Sequence, residues 1–116
     1  MDERIEKAFA VANYMATLSN QRKIVLEEFN QQLIYYSNGG TFVIGPELIN
    51  FTKTVLDLEY THDVPFVDTN GFPVVITDVQ GFFDKILLQY MTALNVYSVK
   101  FAEIKSKRKI GDIVEL

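Results

Sequence analysis

Seven apolar residues, Phe83, Leu87, Tyr90, Leu94, Tyr97, Phe101 and Ile104, follow one another at steps of four, three, four, three, four and three, with no Gly or Pro between them. That alternation draws a continuous apolar line down one side of an α-helix, and no strand, with its period of two, reproduces it. Phe82, Ile86, Ala93 and Val96 lie beside the line and widen it, so the helix needs cover on more than one side. Ahead of it, Thr77-Asp78-Val79-Gln80 has the form of a capping box, with Thr77 at the cap and Gln80 three residues on. A helix is therefore expected over 78–109. Lys105, Lys107, Arg108 and Lys109 sit at its end, where the helix dipole favours positive charge. Residues 110–116 are read as a tail.

The first third of the chain also lacks Gly and Pro, from Asp2 to Ser37, and is rich in good helix formers. Two rows at intervals of seven run through it: Ala8, Met15, Arg22, Phe29, Tyr36, and Ile5, Ala12, Ser19, Leu26, Leu33. They predict a long helix over 2–38 with a seam weakened at Ser19 and Arg22, and a bend or break near Ser19-Asn20 stays open. Asn38-Gly39 is read as its C-cap, since both residues tolerate positive φ. The middle, 41–76, holds a β-prone run, Thr41-Phe42-Val43-Ile44, then a short amphipathic helix started by Gly45-Pro46-Glu47 and ending near Glu59. Val64–Val67 and Phe72–Ile76 flank Asp68-Thr69-Asn70-Gly71, a hairpin signal, and Pro65 and Pro73 either demote these to edge strands or lie outside the hydrogen-bonded ladder. The fold class that follows is α+β, mainly α. Two long amphipathic helices pack together, with a short helix and a small antiparallel β-hairpin, in a single domain over 1–116.

Composition closes several routes. With 116 residues and 48% hydrophobic content the chain has the material for one core, and nine Phe and six Tyr imply a thick core or a buried interface. It has no Cys, so disulfides, thiolate metal sites and cysteine nucleophiles are excluded. The longest mostly apolar stretch, 9–18, is too short to cross a bilayer, and the acidic start is unlike a secretory signal, so no membrane role and a cytoplasmic location are expected. A net charge of −4 argues against a general nucleic-acid coat.

No cluster of residues has the density of a catalytic, metal or cofactor site, and the chain is expected not to be an enzyme and to need no cofactor. His62, the single histidine, has no partner at helical or hairpin spacing and reads as a surface turn residue. Glu27 and Glu28, near Lys23, read as a solvated helix face rather than a cation site. Asp63, Asp68, Asn70 and Asp78 crowd the hairpin, but they lack the spacing of a calcium loop and read as turn and cap chemistry. Lys105, Lys107, Arg108 and Lys109 are the candidates for contacting an anionic partner.

The run Phe66-Val67-Asp68-Thr69-Asn70-Gly71-Phe72-Pro73-Val74-Val75-Ile76, with Pro46–Phe51 before it and a long helix after, resembles small proteins of tailed marine phages, particularly those infecting cyanobacteria. The resemblance covers about Thr41 to Lys109 and carries over no site residues. It implies an accessory or virion-associated protein acting in a bacterial host cell. The expected function is a protein–protein interaction or assembly module. It pairs with itself, as a homodimer, or with another protein, through Leu87, Tyr90, Leu94, Tyr97 and Phe101. The alternative is a nucleic-acid-associated regulator using the basic helix end.

Overall fold

The computed structural model describes residues 2–115, and the side chains of residues 2–106. Its elements in chain order are α1 (Glu3–Gln32), β1 (Ile34–Ser37), β2 (Gly40–Val43), α2 (Pro46–Asp57), β3 (His62–Val67), β4 (Pro73–Asp78) and α3 (Val79–Glu115). The fold is mainly helical, with two antiparallel two-stranded sheets, β1-β2 and β3-β4. No helix among the described residues is long and apolar enough to cross a membrane.

Two boundaries differ from the sequence reading. The first helix stops at Gln32 rather than 38, and Ile34–Ser37 pairs with Gly40–Val43, Ser37 opposite Gly40. Asn38 (φ 53°) and Gly39 (φ 81°) are both left-handed, the type I′ geometry that joins two strands, so Asn38-Gly39 turns a hairpin instead of capping a helix. Ile34, Tyr35 and Tyr36, β-branched and aromatic, are the residues that favour the strand. At the other end α3 continues to Glu115, through the residues expected as a tail. Helix α1 itself runs through Ser19-Asn20 without a break.

The chain resolves into two compact units, one made of residues 1–29 and 95–116, the other of the continuous segment Asn30–Leu94. In the first unit α1 and α3 run antiparallel. Phe29 stacks on Tyr97 with ring centroids 4.7 Å apart, and the Lys100 ammonium donates to the Glu28 carboxylate at 2.7 Å. Val11, Leu18 and Val25, with Met15, Arg22 and Phe29, form the covered side of α1. The row Ile5, Ala12, Ser19, Leu26 is exposed, one residue around the helix from the row that faces the partner. A larger apolar side chain stands at two positions of the covered row, Val11 for Ala12 and Leu18 for Ser19.

The second unit is built on Phe82. Its ring meets Tyr35 of β1 (5.8 Å), Phe42 of β2 (5.3 Å) and Phe66 of β3 (5.4 Å), and Phe51 of α2 lies edge-on to Phe66 (5.2 Å). Both hairpins and α2 are thus tied to the first turn of α3. Ile44, Ile76, Val79 and Ile86 are sealed around this cluster. On α3 the buried row here is Val79, Phe82, Ile86 and Ala93, while Phe83, Tyr90 and Leu94 are half-buried and Leu87 is exposed. The hairpins pass so close that a Cβ at Gly40 would lie 2.6 Å from a methyl of Val74. The Gln89 amide donates to the carbonyls of Gln32 (2.6 Å) and Ile34 (3.2 Å), fixing the start of β1 against α3.

Local chemistry sets the helix ends. Asp78, not Thr77, caps α3: its Oδ1 accepts from the Gly81 amide at 3.0 Å, and Thr77 Oγ1 instead donates to Asn38 Oδ1 at 3.4 Å. Pro46 opens α2 at its first position, as expected. The helix closes in a Schellman motif, with Tyr60 N–H donating to Val55 C=O and Glu59 N–H to Leu56 C=O. Glu59 takes the left-handed position at φ 68°, where glycine is usual.

Candidate interaction surfaces

The residues expected to form an interface fall on a half-covered stripe. Tyr97 is engaged within the chain by Phe29 and meets Phe101 edge-on at 6.0 Å, while Phe101 itself stays 40% exposed. In the second unit Tyr90 and Leu94 are half-buried and Leu87 keeps an exposed flank. Six of the regular line of seven are therefore half-buried or exposed and Ile104 alone is buried, whereas Phe82, Ile86 and Ala93 of the row expected to widen it are buried and Val96 is exposed.

Within the first unit, among its described residues, only Leu18 and Ile104 are buried. Against them stand Ile5, Phe9 (59% exposed), Ile24, Leu26, Val96, Val99 (60% exposed) and Phe101. Two helices share one line of contact, so side chains elsewhere on their circumference have nothing to cover them. Gln21 carries the one buried side-chain oxygen, Oε1, that lacks a hydrogen-bond partner among the described residues, and it lies in a shallow groove beside Val25, Glu28, Lys100 and Ile104.

The polar candidates resolve into structural roles. Asp68 is buried at the tip of the second hairpin. Its Oδ1 accepts from the amides of Phe72 (2.9 Å) and Asn70 (3.0 Å), and its Oδ2 accepts from the amide of Thr41 (3.2 Å). The Phe72 bond foremost, with those from Thr41 and Asn70, holds its carboxyl below the usual range, against burial, which pushes it up. A carboxylate whose lone pairs face backbone donors is committed to the turn. No group of three or more His, Cys, Asp or Glu able to hold a metal occurs among the described residues. His62 is exposed, its Nδ1 2.9 Å from Thr61 Oγ1. Glu28 finds its cation across the helical pair in Lys100 rather than in Lys23. Lys105 is exposed on α3; the side chains of Lys107, Arg108 and Lys109 lie outside the described residues.

One concavity involves residues that no motif in the sequence marks. It is a cleft of about 650 Å³ bounded by β2, the start of α2 and β3, with Leu48, Phe51, Phe66 and Val67 among its walls. Comparison of the chain with protein-family models, with curated proteins and with solved structures finds no match.

Proposed function

We propose that the chain is a non-enzymatic protein–protein interaction module that serves assembly by pairing with a second copy of itself through the helices of its first unit. The observation that carries this reading is the imbalance there: two buried side chains, Leu18 and Ile104, against seven exposed large apolar ones among the described residues. Isolated helices are marginal in water and draw their stability from packed faces. Two antiparallel pairs associating about a two-fold axis make a four-helix bundle, which covers the faces that one pair leaves open. An accessory or virion-associated role in an infected bacterial cell, the setting implied by the resemblance of the hairpin region to phage proteins, suits a module of this kind.

Light scattering coupled to gel filtration tests it. The expected mass is twice the 13.3 kDa of the chain. The double variant Phe9→Glu/Val99→Glu, which charges two exposed positions, returns the mass to that of one chain while far-UV circular dichroism keeps its helical signal. A parent protein that is monomeric at tens of micromolar refutes self-association.

A further inference from the structure

The outer edges of β2 and β3 should belong to one sheet and do not. In the first hairpin the Ser37–Gly40 pair flanks a two-residue turn and is hydrogen-bonded, so Thr41 and Val43 turn their backbone groups away from β1. In the second, the bond from Asp68 N–H to Phe72 C=O (2.9 Å) sets the phase, so Val67 and Pro65 turn theirs away from β4. The two outward edges meet at one place, where the Thr69 amide donates to the Thr41 carbonyl at 2.8 Å. The return bond is missing: the Thr41 amide donates instead to the Asp68 carboxylate. Extending the register places Val43 opposite Val67, yet neither backbone bonds the other among the described residues, and the two sheets stay separate. The cleft opens from this split.

We propose that the split is a docking site for an extended segment of another protein, added as a strand along the β3 edge. Its backbone bonds to the N–H and C=O of Val67 and the C=O of Pro65, and alternate side chains enter the cleft beside Phe51 and Phe66. Three features select that occupant. The edge offers one backbone donor, Val67 N–H, and two acceptors, the carbonyls of Val67 and Pro65, at strand spacing, which an extended chain satisfies and a helix cannot. The cleft has the volume of a ligand pocket, and Val43, Phe51 and Val67 on its borders are 54%, 52% and 71% exposed, so apolar side chains have surface to cover. Its lining carries two acids, Glu47 and Asp68, and no Lys, Arg or His, so the complementary segment bears a basic residue at the Glu47 end.

The probe is a set of fluorescein-labelled heptapeptides, basic at both ends and alternating Thr with Val, Leu, Ile or Phe. They are titrated into the full chain by anisotropy, with amide shifts followed by NMR. At least one peptide is expected to bind and to move the Val67 and Val43 amides. N-methylation of its alternate amides weakens it about tenfold or more, the loss of backbone hydrogen bonds. Replacing its basic ends by Glu weakens it likewise, and Glu47→Lys reverses that preference. Val67→Pro removes the outward N–H and leaves the β3-β4 ladder intact, and it is expected to weaken binding without lowering the melting temperature. No shift at Val67 with any peptide at millimolar concentration overturns the proposal. So does equal binding by the N-methylated form, a result that uses the parent protein alone.

Discussion

Ile86 and Leu87 are neighbours on α3, and the structure assigns them very different weight. Ile86 is 0% exposed beside the Phe82 cluster, whereas Leu87 keeps 37% of its surface in solvent. Truncating a sealed Ile removes its transfer free energy and leaves a cavity that close-packed neighbours fill poorly, a loss of about 2–5 kcal/mol. Alanine's better helix propensity returns roughly 0.4 kcal/mol, so Ile86→Ala is expected to cost about 3 kcal/mol. Leu87→Ala opens a gap already continuous with water, and its cost reduces to part of the transfer term, about 1 kcal/mol. With an unfolding entropy of about 2 cal/mol/K per residue, 1 kcal/mol shifts the melting temperature of a chain this size by about 4 °C. Thermal melts followed at 222 nm should therefore place Ile86→Ala about 12 °C below the parent and Leu87→Ala about 4 °C below it. The regular line of apolar residues includes Leu87 and excludes Ile86, so periodicity alone ranks them the other way. A Leu87→Ala protein melting below Ile86→Ala would refute the placement of α3.

Asp68 has a folded-state pKa below its unfolded value, so its stabilising contribution is fully present above about pH 4 and is lost as pH falls through the folded pKa. Urea midpoints measured from pH 7 down to pH 2.5 should show Asp68→Asn less stable at neutral pH and flatter across the acid limb than the parent. Gly81→Ala sets a gain in helix propensity of about 1 kcal/mol against a Cβ that collides with the capping carboxylate of Asp78. It is expected to be near neutral in the parent and stabilising by about 1 kcal/mol in an Asp78→Ala background, a coupling read from a double-mutant cycle of urea melts. Glu59→Gly relieves a left-handed non-glycine residue at the end of α2 and should raise stability by about 1 kcal/mol, seen as a higher urea midpoint.

The elements that sequence disclosed are those whose signal is local. The last helix, the Pro46 helix start and the Asn70-Gly71 hairpin each follow from residues within one or two turns of each other. Both prolines of that hairpin, Pro65 and Pro73, fall at non-hydrogen-bonded pairs, where a missing N–H costs nothing. What stayed illegible depends on partners distant in sequence. Asn38-Gly39 serves equally as a helix C-cap or a I′ turn, and only the pairing of Tyr35 with Phe42 decides between them. Rows one residue apart on a helix, Val11-Leu18-Val25 against Ala12-Ser19-Leu26, share one period, and the facing helix chooses. Thr77 and Asp78 are both good caps, and Asn38, 39 residues earlier, draws Thr77 away. The split sheet was beyond reach, because it exists only where two hairpins from different parts of the chain come side by side.

The division of the chain into units has a consequence for the order of events in folding. Asn30–Leu94 is continuous, and its contacts close short loops first: two tight hairpins, then α2 and the start of α3 around Phe82. The helical pair joins the two ends of the chain, and forming it alone would require closing the whole intervening segment, an entropic cost on the order of 4 kcal/mol that rises with the logarithm of loop length. Once the hairpin unit is in place that loop is already shortened, so α1 and the end of α3 are expected to zip last. During synthesis α1 is made before its helical partner, and its apolar face waits while Asn30–Leu94 is translated.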